Sequence, residues 1–352
     1  MVEKYPRSFD LRQYPPDPPG GADKPKVSIL ITTFNQEKVI EQAIDSVLMQ
    51  ETNFPYEIVL GEDASTDRTR EIVTESRNQD RDKIRLLLRN ADEANRDRRL
   101  GLGGKINYLT ALRACRGEYI AILDGDDYFT SPHKLQRQAD FLDTHPECVI
   151  CFHNVLAVYE DGSKAPAKLC PPDQKPISDI EQLLWGNFIP TCSIMQRREP
   201  IVEIADWFLT ARLGDWPLNI LKAQYGKIGY IDEVMAAYRV HVAGVWSLRR
   251  RSHQLRTSIK VLDNIDRDFG FKYRDSIRGA KTRFLFELAE LYLQQGRRRA
   301  ALIAAKRGLR LSRGRHKGIL SLWLRLETPG LYRGFTTVKK ARTQRRLGTP
   351  AT

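Results

Sequence analysis

The stretch Tyr119–Asp127, YIAILDGDD, decides the fold class of this 352-residue chain. Five strand-forming residues are followed at once by three carboxylates within four positions, and an apolar run bounded in this way is typical of a buried strand. A similar unit lies upstream, where Glu57–Leu60 is followed by the acidic sequence EDASTD at residues 62–67. Because ligands of open α/β sheets bind outside the carboxyl ends of the strands, both acidic clusters predict parts of one binding site.

The first part of the chain alternates apolar runs with helical patterns. Strands are predicted at residues 26–33, 57–60, 84–88 and 118–123, and candidate helix N-caps follow the first two, namely Asn35 and Ser65 or Thr66. The order βαβαβαβ indicates a mostly parallel sheet with helices on both faces and right-handed crossovers. Further along, the pattern predicts a strand at 149–158 and helical segments at 180–184 and 217–223. The predicted fold class is therefore α/β.

Three regions differ in composition and predict three parts of the molecule. Residues 1–24 are rich in proline and predict an irregular arm, residues 25–248 predict the α/β domain, and residues 249–352 predict a basic helical region. The chain carries a formal net charge of +13, but residues 249–352 alone hold 27 Lys and Arg against 7 Asp and Glu, a net charge of +20. Such a region favours anionic partners, and a membrane surface and a nucleic acid are the two alternatives.

Within the basic region, residues 249–315 have a helical pattern throughout. Residues 288–305 fit a helical hairpin like one tetratricopeptide unit, but they fit any antiparallel helix pair equally well, and we favour the second interpretation. The segment Ile319–Leu326 is apolar among basic residues and could lie in a membrane interface.

The sequence also bears on location. No run of about 18 uncharged apolar residues occurs, and the start of the chain lacks the apolar core of a signal peptide, so we expect a cytoplasmic protein that could attach to the inner face of the membrane. Five cysteines do not form a disulfide framework in a chain of this length. Cys148 and Cys151, with His153 close behind, could indicate zinc or redox chemistry, although buried thiols are the better interpretation because no second cysteine pair follows.

The three carboxylates of residues 124–127 repel one another unless a cation or hydrogen-bond donors offset their charge. Hard oxygen ligands of this kind suit Mg²⁺ or Mn²⁺. The sequence therefore predicts a divalent metal ion as a cofactor.

Four motifs together resemble the family 2 glycosyltransferases, which have the Rossmann-like GT-A fold. They are residues 27–50, residues 62–67, the sequence DGDD at 124–127 and the sequence GDWPL at 214–218, and the resemblance covers about residues 25–248. It implies a metal-dependent, inverting, hexosyltransferase-type enzyme of bacterial cell-surface polysaccharide biosynthesis. Such an enzyme moves a sugar from a nucleotide-diphosphate sugar to a hydroxyl of a saccharide or a lipid-linked acceptor.

The resemblance also implies roles for individual residues on the donor side. Asp63 would accept a hydrogen bond from the nucleotide base, Asp126 would be the direct metal ligand, and His241 would reach the metal or the diphosphate. The nucleotide-sugar site implied by the resemblance consists of Thr32, Thr33, Asn35, Glu62, Asp63, Lys105, Asn107, Asp124 and Gly125.

On the acceptor side, Asp215 matches the acidic residue that serves the family as general base, although Gly214 stands where the family often has Glu. Its carboxylate would take the proton of the acceptor hydroxyl while that oxygen attacks the anomeric carbon, which gives inversion in one displacement. The acceptor side implied by the resemblance consists of Thr191, Cys192, Ser193 and Trp216.

Two other classes of function remain as alternatives. A nucleotidyltransferase can share this fold and metal motif, but it normally carries a Gly-rich loop with Arg and Lys after the first strand, and that loop is absent here. A nucleic-acid-binding protein could use the basic C-terminal region, yet its basic residues are not interleaved with aromatic residues as in known modules. We therefore expect no nucleic-acid partner and prefer electrostatic attachment to an anionic membrane surface through this region.

Overall fold

The computed structural model describes residues 24–200, 204–241 and 249–327. The arm predicted for residues 1–24 lies outside the described residues except for Lys24. The described residues form two compact units. The first contains residues 24–183, 187–200 and 204–241, and the second contains residues 184–186 and 249–327.

The first unit is built on one mixed sheet flanked by helices. Its strands are β1 (Val27–Thr33), β2 (Tyr56–Glu62), β3 (Ile84–Leu88), β4 (Tyr119–Asp124), β5 (Tyr128–Phe129), β6 (Cys148–Tyr159), β7 (Ala167–Lys168), β8 (Ile177–Ser178), β9 (Met195–Arg197) and β10 (Lys227–Val240). Eight helices accompany these strands: α1 (Ile40–Leu48), α2 (Thr69–Gln79), α3 (Ala91–Arg99), α4 (Gly104–Ala114), α5 (Lys134–Thr144), α6 (Ile180–Leu184), α7 (Asp206–Thr210) and α8 (Asp215–Ala223).

The strands lie in the order β3-β2-β1-β4-β9-β6-β10-β5, with β7 beside β6 and β8 beside β10. The pairs β2–β3, β1–β2, β1–β4 and β6–β10 are parallel, whereas β9 runs antiparallel between β4 and β6. The predicted α/β class is therefore confirmed.

Strand β1 is apolar at consecutive positions, and its two faces pack against helices on opposite sides of the sheet. Ile29 and Ile31 point to one face, where Ile44 of α1 contributes to the core. Leu30 points to the other face and packs with Ala111 of α4. A strand that buries both its faces is expected for the centre of a parallel sheet.

The two predicted helix caps are wrong. Asn35 has a positive φ of 52° and its side-chain oxygen accepts a hydrogen bond from the Thr66 N–H at 2.8 Å, so it joins two loops instead of capping α1. Helix α2 begins at Thr69, whose N–H donates to Asp67 Oδ1 at 3.0 Å. The sequence analysis also missed α3, although Asn90 caps it by accepting from two backbone N–H groups.

Strand β10 is irregular where it pairs with β6. The register places Ile231 opposite His153, Val234 opposite Asn154 and Ala236 opposite Val155. Three additional residues are thus accommodated in β10 between positions 231 and 236. After this bulge the pairing is regular again up to Val240.

The cysteines are buried thiols, as predicted from the sequence. Cys115, Cys148, Cys151, Cys170 and Cys192 are all buried free thiols. Across the described ranges, no group of three or more His, Cys, Asp and Glu residues is arranged to hold a metal ion, so the zinc alternative for Cys148 and Cys151 finds no support there.

The second unit is helical, with α9 (Arg251–Asp268), α10 (Arg274–Gln294), α11 (Arg298–Leu311) and α12 (Lys317–Glu327). Arg278 near the start of α10 donates to the Leu311 carbonyl at the end of α11, so these two helices form an antiparallel hairpin. Ile319 and Leu322 of α12 are buried, and a Cβ added at Gly308 of α11 would lie 2.0 Å from Ile319.

Three apolar side chains of the segment Ile319–Leu326 are buried within the protein, so for them the expected position in a membrane interface is wrong. Ile319, Leu322 and Leu326 form the apolar side by which α12 packs within its own unit. In the described parts of the chain, no helix combines the length and the apolar character needed to cross a membrane.

Gly117 gives a direct test of the packing between β1 and β4. A Cβ at this position would lie 2.5 Å from the backbone nitrogen of Ser28 and 2.8 Å from the Tyr119 carbonyl oxygen, and neither atom can move away alone. We expect Gly117→Ala to lower the free energy of unfolding by about 1–3 kcal/mol, measured by urea denaturation.

Gly104→Ala is the matched control, because a Cβ there meets nothing within 4 Å and the residue lies in α4. Alanine is the better helix former, so the stability of this variant should stay the same or rise. Equal urea midpoints for the two variants would contradict the close approach at Gly117.

Candidate functional site

The carboxyl ends of three neighbouring strands meet at one edge of the sheet in the first unit. In the parallel register, Thr32 of β1 pairs with Asp124 of β4, and Thr33 pairs with Glu62 of β2. Both acidic clusters identified in the sequence therefore follow strands that end beside β1. This arrangement agrees with the expectation that the two clusters share one site.

The loop after β4 is held tightly against β1. The Gly125 N–H donates to the Thr32 carbonyl at 2.9 Å, and the Asp127 N–H donates to the Asp124 carbonyl at 2.9 Å. A Cβ at position 125 would lie 2.5 Å from Gln36 Oε1 and 3.0 Å from the Thr32 carbonyl oxygen. A side chain at the centre of the acidic motif would therefore displace the Gln36 side chain and crowd the Thr32 carbonyl.

The end of β10 lies against the same loop. The Arg239 side chain donates to the Asp126 carbonyl at 2.7 Å, and its backbone N–H donates to Asp127 Oδ1 at 2.8 Å. Two residues later, His241 Nε2 lies 2.8 Å from Asp126 Oδ2. Because a carboxylate only accepts hydrogen bonds, Nε2 is the donor in this arrangement.

Negative charge accumulates in this loop. Burial, followed by the charges of Asp126 and Asp215, raises the pKa of Asp124 to about 7, while a hydrogen bond with Thr32 opposes the shift. Burial, followed by the charges of Asp126 and Asp124, raises the pKa of Asp127 well above its ordinary value. Such shifts mark a place where a cation would relieve repulsion.

Asp215 is the first residue of α8, which places its carboxylate at the positive end of the helix dipole. Its Oδ2 accepts a hydrogen bond from Asn187 Nδ2 at 2.8 Å. Burial raises the pKa of Asp215, and hydrogen bonds from the Trp216 and Asp215 backbone and from Asn187 oppose the shift. After burial, the charges of Asp124 and Asp215 both act to raise the pKa of the Tyr108 hydroxyl, so the two carboxylates share one electrostatic environment.

The donor set fits a divalent cation in its chemistry. Asp126 supplies a carboxylate, His241 supplies an imidazole that is only 16% exposed, and the raised pKa values of Asp124 and Asp127 show excess negative charge beside them. No cluster of three such side chains in the described residues can hold an ion alone, so further ligands would come from a bound substrate or water. Mg²⁺ and Mn²⁺ are commonly bound in this way, through few protein ligands and substrate phosphates.

Arginine side chains neutralise the acidic residues that follow β2. Glu62 is completely buried and pairs with Arg70, and Asp63 pairs with Arg89 at 2.7 Å. Arg98 donates to the Asp63 carbonyl and stacks over the exposed Phe34 ring at 4.1 Å. Burial raises the pKa of Asp63, although Arg89 and Arg98 act against the shift.

Residues of β1 and the following loop, predicted for nucleotide binding, lie at the same edge. Thr33 is buried and its hydroxyl donates to Gln36 Oε1 at 2.7 Å, whereas Asn35 is exposed. The structure thus brings together the predicted positions Thr32, Thr33, Asn35, Glu62, Asp63, Asp124 and Gly125. Their roles toward a nucleotide remain predictions.

Lys105 and Asn107, which were predicted to meet phosphate or sugar, have other partners. The Lys105 ammonium donates to the carbonyls of Phe208, Leu209 and Ala211 at the end of α7, and burial lowers its pKa to about 8. Asn107 is buried and donates to the Gly61 carbonyl at 2.8 Å. In this structure both residues hold backbone segments in place, and their roles toward phosphate or sugar remain predictions.

Most of the predicted acceptor-side residues are also buried. Cys192 and Ser193 are completely buried in a 3-10 turn, and the Ser193 hydroxyl donates to the Pro190 carbonyl at 2.6 Å. Trp216 is only 3% exposed and its indole N–H donates to the Leu183 carbonyl at 2.9 Å. Only Thr191 of this group is partly accessible, and the roles of all four residues toward an acceptor remain predictions.

Sequence analysis missed several residues of the site, namely Arg89, Arg98, Asn187 and Arg239. Arg89 and Arg98 lie within 36 residues of Asp63, and a basic partner for a predicted buried carboxylate was a signal that could have been sought. Arg239 precedes His241 by two residues, and side chains two positions apart in a strand lie on the same face of the sheet, so its place beside His241 could have been predicted. Asn187 carries no signal in the sequence, because only the fold brings it to Asp215.

Comparisons with known proteins agree on one relationship. A family model described as "Glycosyl transferase family 2" matches residues 28–201. The uncharacterized protein Rv1520 of Mycobacterium tuberculosis is 34% identical over 286 residues, which cover 79% of this chain and 78% of that protein. The uncharacterized glycosyltransferase alr2836 of a Nostoc species is 31% identical over 228 residues, covering 62% of this chain and 66% of that protein.

Among solved structures, residues 1–349 of TarS from S. aureus, crystallised in complex with UDP, superpose with a TM-score of 0.51 at 18% identity. The match covers 86% of this chain and 90% of that chain. The same TarS segment in complex with UDP-GlcNAc also gives a TM-score of 0.51, at 16% identity, and covers 93% of both chains. These similarities establish the fold.

Proposed function

The chain belongs to glycosyltransferase family 2 and has the GT-A fold, and on this basis we propose that it is a metal-dependent, inverting hexosyltransferase. Its donor would be a nucleotide-diphosphate sugar, and its acceptor would be a hydroxyl of a saccharide or a lipid-linked glycan. The family match removes the basis for the nucleotidyltransferase alternative.

One observation carries the proposal. Asp124, Asp126, Asp215 and His241 come from three distant segments, yet their charges and hydrogen bonds are coupled. His241 contacts Asp126 at 2.8 Å, and the charges of Asp126 and Asp215 both raise the pKa of Asp124. A nucleotide-sugar transferase needs carboxylates of this kind on both sides of the reacting bond, one group toward the diphosphate and one toward the acceptor.

In the proposed mechanism, Asp215 acts as the general base. Its carboxylate accepts the proton of the acceptor hydroxyl while that oxygen forms a bond to the anomeric carbon. The bond between the anomeric carbon and the diphosphate breaks with its electron pair leaving on the phosphate oxygen, which releases the nucleoside diphosphate. Attack from the face opposite the diphosphate inverts the configuration in a single displacement.

Asp126 and His241 would hold the divalent ion. When bound, the ion would neutralise negative charge on the diphosphate as a Lewis acid. Arg239 keeps both ligands in register, because it contacts the Asp126 backbone and precedes His241 by two residues. Asp63 and its partner Arg89 would recognise the nucleotide base.

A uridine nucleotide is the first donor to test. The TarS neighbours were crystallised with UDP and with UDP-GlcNAc, and a curated relative, Poly(ribitol-phosphate) beta-N-acetylglucosaminyltransferase TarS, is 31% identical over 128 residues. That match covers only 20% of the TarS chain, so TarS supports the donor class more than the acceptor. A role in polysaccharide biosynthesis, with the basic C-terminal region attracted to an anionic membrane surface, is part of the proposal.

The donor class can be tested by thermal shift. UDP and GDP should raise the melting temperature of the chain more in the presence of Mn²⁺ than in its absence, because a ligand that binds only the native state stabilises it. Asp126→Ala should remove the part of the shift that depends on Mn²⁺.

Asp82→Ala is the control, since Asp82 is an exposed aspartate of the same unit. An Mn²⁺-dependent shift that persists in Asp126→Ala would exclude Asp126 as a ligand. No shift with any nucleoside diphosphate would count against the donor class itself.

The role of Asp215 predicts a separation of binding from turnover. Asp215→Asn keeps the shape and the hydrogen-bond acceptor of the side chain but removes the base, so we expect kcat to fall about 10²-fold or more while nucleotide affinity is retained. Transfer rates and nucleotide titrations on the same preparation measure the two effects.

Asp206→Asn serves as the control for this variant, because Asp206 is an exposed aspartate at the start of α7. Normal transfer by Asp215→Asn would remove Asp215 from the role of base.

The Asn187 hydrogen bond predicts a pH effect. Asp215 works as a base only when it is ionised, so activity falls as the pH drops through its pKa. Donation from Asn187 lowers that pKa, and Asn187→Ala should therefore move the acid limb of kcat/KM upward by about one pH unit. Asn53→Ala, at an exposed asparagine of the same unit, should leave the profile unchanged. An unmoved acid limb in Asn187→Ala would show that another group controls it.

A further inference from the structure

The second unit contains a pocket that the proposed reaction does not use. Its volume is about 390 Å³, and its walls include Trp185, Arg278, Gly279, Arg283, Arg315 and His316. We call this set the arginine pocket. A volume of this size falls within the range of small-molecule sites.

The arginine pocket carries excess positive charge. Arg278 is partly neutralised, since it donates to Asp275 at 2.9 Å and to the Leu311 carbonyl. Arg283 donates one N–H to the Trp185 carbonyl and lies within the electrostatic influence of Glu287, whereas Arg315 forms no ion pair with a carboxylate among the residues that the structure describes. Arg315 and the remaining N–H groups of Arg283 can therefore donate to phosphate oxygens.

Trp185 gives the pocket an aromatic wall that is held in place. A Cβ at Gly279 of α10 would lie 2.7 Å from the indole ring, so the absence of a side chain there lets the ring lie directly against the helix. Arg283 donates to the Trp185 carbonyl, and its guanidinium lies 5.6 Å from the centre of the indole ring. The indole nevertheless remains 40% exposed. A fixed, exposed aromatic face offers the C–H face of a sugar ring an apolar surface without further ordering cost.

We propose that the arginine pocket binds a phosphate-bearing saccharide, with the phosphate on Arg283 and Arg315 and the sugar ring on Trp185. This binding site goes beyond the proposed function, which is argued from residues of the first unit alone. Arg278, with Asp275, borders the site and fixes the end of α11.

Calorimetric titration of the full chain tests this proposal, with glucose 1-phosphate, glucose and inorganic phosphate as probes. Glucose 1-phosphate should bind more tightly than either glucose or phosphate alone. Arg283→Gln with Arg315→Gln should weaken its binding at least tenfold. Trp185→Leu should weaken glucose 1-phosphate binding but leave phosphate binding unchanged.

Controls separate the outcomes. Arg299→Gln, at an exposed arginine of the same unit, should bind as the original chain does. Arg315→Gln alone guards against misfolding, because Arg315 is exposed. Nucleoside diphosphate binding should persist in the arginine variants and be impaired in Asp126→Ala. Glucose 1-phosphate binding should be weakened in the arginine variants and persist in Asp126→Ala. Failure of this inference is therefore distinguishable from failure of the proposed function.

Three results would overturn the proposal. Unchanged glucose 1-phosphate binding in the double arginine variant would exclude the pocket. Equal affinity for glucose 1-phosphate and inorganic phosphate would exclude recognition of the sugar. Tighter binding of a duplex RNA than of the saccharide, lost in the same arginine variant, would assign the pocket to nucleic acid instead.

Discussion

Parallel pairing of β1 with both β2 and β4 is the constraint on which the site depends. It places Thr32 beside Asp124 and Thr33 beside Glu62, so that two acidic residues 62 positions apart in the sequence lie at one edge of the sheet. The energetic cost of that convergence is electrostatic repulsion in a partly buried place. This repulsion is offset at some carboxylates and not at others. Glu62 and Asp63 have arginine partners, whereas Asp124 has none among the described residues and its pKa rises to about 7.

This unequal compensation distinguishes two halves of the site. Around Asp63, the guanidinium groups of Arg89 and Arg98 are already in place, and Arg89 is also bound to Asp97, so this half is assembled before any ligand arrives. Around Asp124 and Asp126 negative charge is left over, because among the described residues the Asp126 carboxylate contacts the His241 imidazole and no Lys or Arg side chain. Carboxylates that already have arginine partners thus lie beside carboxylates whose charge the proposed cation would offset.

Sequence reasoning was sufficient where local pattern decides the structure. The apolar runs of β1 to β4 and the acidic loops behind them were predicted, because burial on both faces and strand ends leave a direct signal. It failed where a side chain bonds across distant segments. The sequence suggested a helix cap for Asn35 and a ligand contact for Asn107. In the structure, the Asn35 side chain accepts a hydrogen bond from the Thr66 N–H, and the Asn107 side chain donates one to the Gly61 carbonyl. Lys105 is likewise drawn to the carbonyls of α7, a contact between positions more than 100 residues apart.

The bulge in β10 has a geometric consequence for the site. Strand side chains alternate between the two faces, so an odd number of inserted residues reverses the phase of everything that follows. The three additional residues between positions 231 and 236 therefore determine that Arg239 and His241 emerge toward Asp126 while Val240 emerges on the opposite side. If two or four residues were inserted here instead of three, Val240 would face the acidic loop in place of Arg239 and His241. The bulge thus determines which side chains at the end of β10 reach the site.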